Sequence, residues 1–455
     1  MQSTGRIFAV WMLCGLFSAL PVRADVEKRV ADPVFQGEVH YLESGPKDAP
    51  TVLLVHGLGE RASQDWDGLA TDLAKGYRVV RFDLPGFGRS SKGNLAYTPE
   101  RYALFLHALV NREVRARPFF LVGHSMGGAI ALRYASLYPQ DVRALVLVDV
   151  PAILHRFVYS KHLAAFGLNR MVPGLYPNGN DALGNMLGNV LGNAEKKQFP
   201  VEMVVQIPAL RQKFLKGQPS LISGMALALE DFGRDITRVM APTLILWGER
   251  DETAPLRSGR VLAANLAHAR LEVFPGAGHT PMDDVPQLFQ ARLREFLRDP
   301  VIPVQDSLLH DAAALPDSAR RGRCEGKRGQ VFEGDYDRIE VERCENVILR
   351  RVRARQVSLK SSVVTIEDSR IGGGAEGLVA TSSRVTITSS RIEGNTAIVA
   401  NDSKLDIAGS RVIGQKAAVT TGTTSEVAFS VSQVESRHHY GPLHGLRFVT
   451  PESPL

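Results

Sequence analysis

The sequence predicts two architectures in one chain: an α/β sheet with helices on both faces, then an all-β domain of stacked parallel coils. Three observations lead there. From about Val30 to Asp299, short apolar runs rich in β-branched residues alternate with amphipathic helical patterns, the rhythm of a sheet covered on both sides. The interval from Asp149 to Thr243 carries no strand-like run and reads as an inserted helical cap of about 90 residues. Past residue 360 the sequence repeats itself with a period near 20, the mark of a solenoid.

Taken in order, the N-terminus reads as a secretory signal over residues 1–24. Arg6 supplies the positive end, "IFAVWMLCGLFSALPV" is apolar but too short for a comfortable membrane span, and "VRA" before Asp25 fits a cleavage site. This places the mature chain in the periplasm or outside the cell, with membrane anchoring as the alternative if the signal is kept. The predicted domains are an α/β domain at 25–299 with its cap at about 151–240, a linker at 300–322, the coil domain at 323–436 and a tail at 437–455.

Six runs are the predicted strands of the first domain: "TVLLV" (51–55), "YRVVRF" (77–82), "FFLVG" (119–123), "ALVLVD" (144–149), "TLILW" (243–247) and "LEVF" (271–274). Nearly all-apolar strands are buried on both faces, as in a parallel sheet. Within the cap, "LGNMLGNVLGN" spaces leucines at 183, 187 and 191 and glycines at 184, 188 and 192. That spacing gives one helical face to each set, though so many glycines and asparagines make a weak helix. Pro300, Pro303 and Pro316 mark the linker.

In the second domain "SSVVTIEDSRI" starts at Ser361, "SSRVTITSSRI" at Ser382, "DSKLDIAGSRV" at Asp402 and "TSEVAFSVSQV" at Thr424. A right-handed parallel β-helix is predicted, in which Val364 and Ile366 stack on Val385 and Ile387, then on Leu405 and Ile407. The pairs 378–379, 398–399 and 418–419 recur in step. "RCEG" at 323 and "RCEN" at 343 are offset by 20, so Cys324 and Cys344 are predicted to lie on adjacent coils and to form a disulfide. "RRGRCEGKR" and "LRRVRARQ" gather arginines, suggesting a solvated face or one for an anionic polysaccharide or lipid headgroup.

Composition excludes little else. With 44% hydrophobic and 22% charged residues over 455, the chain is an ordinary globular protein of two or three domains. A net charge of +6 is mild, and no nucleic-acid-binding motif is present.

The chemistry centres on "LVGHSMGGAIALRYA". The pattern G-x-S-x-G alone is weak, since 41 glycines in 455 residues supply it by chance about once in four such chains. Its context is stronger. A predicted strand precedes Ser125 and a helix follows, the setting of a nucleophile elbow that holds a serine hydroxyl out at the sheet's C-terminal edge. A serine needs a base and the base an orienting acid. His279, in "PGAGHTP", and Asp251, in "LWGERDE", both sit in loops that follow strands, hence at the same edge. Asp149, at the end of a strand, is the other candidate acid. The Gly-rich turn in "LLVHGLGE" can aim the Leu58 amide at the same place, and with the Met126 amide it would form an oxyanion hole. Asp83, Gly86 and Gly88 read as turn-formers, His124 as a packing residue and His56 as a brace for the oxyanion loop. His438, His439 and His444 match no metal-site spacing.

"VHGLG", "FDLPGFGRS", "GHSMGG", "WGERD" and "GAGH" together resemble the α/β-hydrolase superfamily, in its haloperoxidase-like and esterase-like branch, over roughly residues 35 to 298. The resemblance implies the α/β-hydrolase fold with a helical cap, a Ser125–Asp251–His279 triad and no metal or organic cofactor. The expected activity is that of a lipase- or esterase-type serine hydrolase acting on a small-molecule or lipid ester, with "ILHRFV" and "MLGNVL" lining an acyl pocket. Thioesterase, lactonase, aminopeptidase and cofactor-free haloperoxidase share this machinery. A polysaccharide- or surface-binding protein led by the coil domain is the rival of another class. The resemblance stops near residue 300.

Overall fold

A computed structural model describes residues 26–156, 158, 202–303, 315 and 319–455. The predicted signal, the 183–192 leucine–glycine run and most of the linker lie outside the described residues.

The first domain is built on an eight-stranded sheet among the described residues: β1 (Val26–Asp32), β2 (Gly37–Ser44), β3 (Thr51–Val55), β4 (Arg78–Phe82), β5 (Phe119–His124), β6 (Val142–Val148), β7 (Thr243–Gly248) and β8 (Ala269–Phe274), in the order β1-β2-β4-β3-β5-β6-β7-β8. β3 to β8 pair with one another in parallel, and β2 joins the sheet antiparallel to β4. All six predicted runs are strands. The hairpin β1–β2 was not anticipated. It pairs antiparallel at the sheet edge, where the solvated "VEKRVAD" lacks an apolar run to betray it. Alternate residues of β3 feed opposite cores: Leu53 and Val55 face the helices Pro99–Leu109 and Met126–Leu137, while Val52 and Leu54 pack with Trp66, Leu69 and the helix Pro286–Arg298. Between β6 and β7 the described part of the insertion is helical, with Glu202–Gln206, Pro208–Leu215, Pro219–Ala228 and Gly233–Arg238.

The second domain is all-β. Its strands are β9 (Arg320–Glu325), β10 (Val331–Glu342), β11 (Val347–Lys360), β12 (Val363–Glu367), β13 (Arg370–Ile371) and β14 (Glu376–Thr381). They continue as β15 (Arg384–Thr388), β16 (Arg391–Asn401), β17 (Lys404–Ala408), β18 (Arg411–Thr420), β19 (Ser425–Glu435) and β20 (Tyr440–Val449). All pairings from β9 to β19 are parallel. Val364 pairs with Val385 and Val385 with Leu405, and Ile366, Ile387 and Ile407 do the same. The third column slips. Ile398 lies opposite Val419 rather than Ala418, because an irregularity between Gly394 and Thr396 lets β18 carry an extra residue. The expected tail instead contributes β20, which pairs antiparallel with β19 and covers its edge.

The recurrent "SR" has a local reason. Ser361, Asp368, Ser382, Ser389 and Asp402 all take positive φ, turning the chain at corners. The serine after each corner is buried and bonds to its counterpart on the next coil. Ser362, Ser383 and Ser403 donate their N–H to the hydroxyls of Ser383, Ser403 and Ser425. A second ladder joins Ser369, Ser390, Ser410 and Ser432. The hydroxyls satisfy backbone donors that a corner takes out of the strand ladder.

Cys324 and Cys344 form a disulfide with their Cα atoms 6.6 Å apart. They are not at facing positions: Cys324 pairs with Val341, and Cys344 lies beyond a corner made by Arg343, whose φ is 51°. The corner turns the Cys344 side chain into the core, where both cysteines are buried. Protein unfolded without reductant should show no reactive thiol at either position by peptide mapping. Reduction should destabilise the domain by roughly 3 kcal/mol for a loop of this length.

The arginines at 351, 353 and 355 do not form an unpaired basic face. They pair with Glu333 (2.8 Å), Asp335 (2.6 Å) and Asp337 (3.3 Å) on the neighbouring strand β10. Like charges stacked along one strand are thus neutralised by the next.

The two domains are packed together. From the helix Leu256–Asn265, Arg257 reaches the Asp406 carboxylate (3.1 Å), the Thr388 hydroxyl (2.7 Å) and the Ile387 carbonyl (3.0 Å). Arg260 pairs with Glu367 at 2.8 Å. At the start of the cap, the His155 N–H donates to Ser430 Oγ (2.8 Å) and its ring meets His444, 5.0 Å away. Ala408 and Val431 join the hydrophobic core of the first domain.

Candidate active site

Ser125 follows β5 directly and caps the helix Met126–Leu137 with φ 53° and ψ −124°, a strained conformation for a side-chain-bearing residue. Its neighbours explain how the turn closes. A Cβ at Gly123 would lie 2.3 Å from the Gly127 carbonyl oxygen, and one at Gly127 would lie 2.3 Å from that of Val55. Both positions therefore exclude any side chain, and strand, helix and β3 crowd together around the serine.

Two loops deliver the partners. His279, after β8, places Nε2 2.9 Å from Ser125 Oγ. Its Nδ1 lies 2.8 Å from Asp251 Oδ2. The other Asp251 oxygen accepts the N–H groups of Thr253 (2.8 Å) and Ala254 (2.9 Å), which fixes the carboxylate plane. The Asp251 side chain is fully buried and that of His279 about one-quarter exposed (23%), so the imidazole opens toward a substrate while the acid is dry. A hydroxyl, an imidazole and a carboxylate in this sequence of contacts can pass a proton off the hydroxyl and hold the resulting imidazolium.

The turn carrying Leu58 abuts the serine: a Cβ on Gly57 would lie 2.9 Å from Ser125 Cβ. Met126 opens the helix, where first-turn N–H groups have no intrahelical acceptor. His56 braces this turn. Its Nδ1–H donates to the Gly57 carbonyl (2.7 Å) and its Nε2 accepts the Leu84 N–H (2.8 Å). Asp83 accepts from the Ser63 N–H and hydroxyl and from the Arg89 N–H, a turn-former that organises the adjacent loop.

His124 does more than pack. Its Nε2–H donates to the His279 carbonyl (2.7 Å), tying the His279 loop to the turn that carries Ser125. No pattern in the sequence pointed to this bond, because the partners are 155 residues apart. Burial lowers both braces, His56 to about 4 and His124 to about 3. The unfolded chain binds protons at these histidines from pH 6.5 downward and the native state does not. Stability contributed by their neutral forms is therefore present above pH 6.5 and is lost as the pH falls. Unfolding free energy should drop by about 1.4 kcal/mol per pH unit for each, from pH 6.5 down to about 4 for His56 and about 3 for His124. Denaturant titrations at pH 7 and 5 on the protein and on His124→Gln check this: the variant should lose less.

His444 sits in the contact between domains, 3.6 Å from Asp231. Among the described residues no group of His, Cys, Asp and Glu side chains is arranged to hold a metal ion.

Comparison with known proteins places residues 50–286 within the alpha/beta hydrolase fold family. An uncharacterized protein of Mycobacterium tuberculosis is 27% identical over 284 residues, covering 60% of this chain and 81% of the relative. Lipase 1 of Psychrobacter immobilis is 27% identical over 261 residues, covering 57% and 80%. Among solved structures, a hydrolase from Pseudomonas aeruginosa matches 60% of this chain and 99% of its own at 24% identity, with a TM-score of 0.45.

Proposed function

The chain belongs to the alpha/beta hydrolase fold family, and from that premise we propose that it is an exported serine hydrolase that cleaves carboxylic esters through an acyl-enzyme. The observation that carries this reading is the continuous contact from Ser125 Oγ through His279 to Asp251 at 2.9 and 2.8 Å. In the first half-reaction Ser125 Oγ attacks the ester carbonyl as its proton passes to His279 Nε2. The oxyanion accepts hydrogen bonds from the Leu58 and Met126 amides. On collapse the C–O bond breaks, and His279 returns the proton to the leaving alcohol. Water then repeats the sequence on the acyl-enzyme and frees the acid. Asp251 keeps Nδ1–H in place and offsets the imidazolium charge.

The lipase name of the Psychrobacter relative favours an ester with an acyl chain. Ile153 and Leu154, at the start of the cap, are buried in the hydrophobic core of the first domain. Export rests on the N-terminal apolar run. We read the second domain as a parallel β-helix docked on the hydrolase, with a supporting rather than a reacting role, since the arginines at 351, 353 and 355 are matched by carboxylates.

Turnover of p-nitrophenyl esters of graded chain length tests this reading. The expected result is saturable hydrolysis with a maximum in kcat/KM at one chain length, blocked by a fluorophosphonate that labels Ser125. Turnover of thioesters, lactones or aminoacyl amides at far higher kcat/KM would redirect the substrate class while keeping the triad.

A further inference from the structure

Asp149 stands directly behind the proposed triad. It follows β6, is fully buried and holds φ at 47°. Its own N–H donates to the Leu246 carbonyl (3.1 Å), and its Oδ1 accepts the Gly248 N–H (2.9 Å). The second oxygen, Oδ2, is buried and has no donor. Two carboxyls therefore lie together at the ends of β6 and β7, the acid Asp251 and this one.

They cannot both be ionised. A buried carboxylate oxygen without a donor is costly, and two adjacent carboxylates in a dry site share one charge. Donor count decides where the charge rests. Asp251 faces two backbone N–H groups and the His279 Nδ1–H. Asp149 faces only the Gly248 N–H. The anion belongs on Asp251, and the proton on the carboxyl with fewer donors.

We propose that Asp149 is a positioning residue: it is held as the neutral acid and donates its Oδ2–H to the Asp251 carboxylate. Burial, and next the charge on Asp251, push the Asp149 carboxyl well above the ordinary carboxylate range, which agrees. An acid whose oxygens already accept from two amides and an imidazole gains a further donor. That pins its plane and keeps its other oxygen aimed at His279 Nδ1. The inference rests on the serine-hydrolase reading for its consequence in turnover, but the protonation itself does not.

The test compares Asp149→Asn with Asp149→Leu in the full chain. The asparagine amide supplies both a donor for Asp251 and an acceptor for the Gly248 N–H; leucine supplies neither. We expect Asp149→Asn to keep kcat within about threefold of wild type with an unshifted pH profile. Asp149→Leu should lose about 10- to 100-fold in kcat with KM little changed, a size in line with lost support behind a reacting group. The acidic limb of its kcat/KM profile should move to higher pH, because an Asp251 with one donor fewer is more basic and stabilises the imidazolium more. If Asp149→Asn falls as far as Asp149→Leu, the residue acts as an anion and the proposal is overturned. Wild-type rates in Asp149→Leu overturn it as well. A fold-independent readout is infrared spectroscopy at neutral pH: the wild type should show a protonated-carboxyl C=O band that Asp149→Asn lacks, and its absence from the wild type defeats the proposal. Absence of ester turnover in the wild type, with the band present, would instead end the hydrolase reading and leave the carboxyl pair standing.

Discussion

Ser125→Ala should abolish ester hydrolysis, with kcat falling by about four to six orders of magnitude and the fold unchanged, the size of loss seen when a triad nucleophile is removed. The residue is small and sits in a turn whose geometry is set by its glycine neighbours, Gly123 and Gly127. Removing one hydroxyl costs the nucleophile and its 2.9 Å bond to His279 and leaves the elbow intact. Alanine at φ 53° bears strain similar to that of serine. A fluorophosphonate should label the wild type at Ser125 alone and the variant nowhere. Full activity in the variant, or labelling at another residue, would refute the assignment outright.

Asp251→Asn should cost roughly 10⁴ in kcat with little change in structure. The amide presents N–H where the carboxylate accepted, so the imidazole adopts the tautomer that places its proton on Nε2. That nitrogen then faces Ser125 Oγ as a donor and cannot take its proton. Asp149→Asn must be the mild member of the pair. Both acids terminate neighbouring strands at the same sheet edge, and a sequence reading alone kept both as candidates. If the Asp149 variant proves inactive and the Asp251 variant active, the acid and its supporting carboxyl exchange roles. Infrared and pH-rate measurements on the same two proteins then decide which carries the charge.

Measured at saturating substrate, these two losses separate chemistry from packing effects. Truncation of Ile153 or Leu154 should instead act through lost core packing and stability, whereas Ser125→Ala and Asp251→Asn should act on the step at the carbonyl.

Much of this protein is local, and what is local is legible in the sequence. The central strands β3, β5, β6 and β7 announce themselves because parallel strands buried on both faces must be nearly continuously apolar. The elbow is legible because two close approaches forbid side chains at Gly123 and Gly127. The coil period is legible because corners need residues that tolerate positive φ, and the buried serines after them must recur in step. Tertiary structure decided what depends on partners distant in the chain. The edge strand β1 has no apolar run, because most of it is solvated, while its partner β2 is buried over residues 39–42 but interrupts its apolar run with His40. The one-residue slip at Val419 comes from a local irregularity after which Ala417, Ala418 and Val419 are all buried, so the interior alternation is broken there. The arginines of β11 looked free until β10 set carboxylates beside them. Above all, the ranking of Asp251 over Asp149 turns on donor count: three N–H groups converge on one carboxyl and a single one on the other. Two of Asp251's donors are local, in its own loop, but the His279 donor and the Gly248 donor to Asp149 come from other segments, and only the folded chain brings them to the same few ångströms.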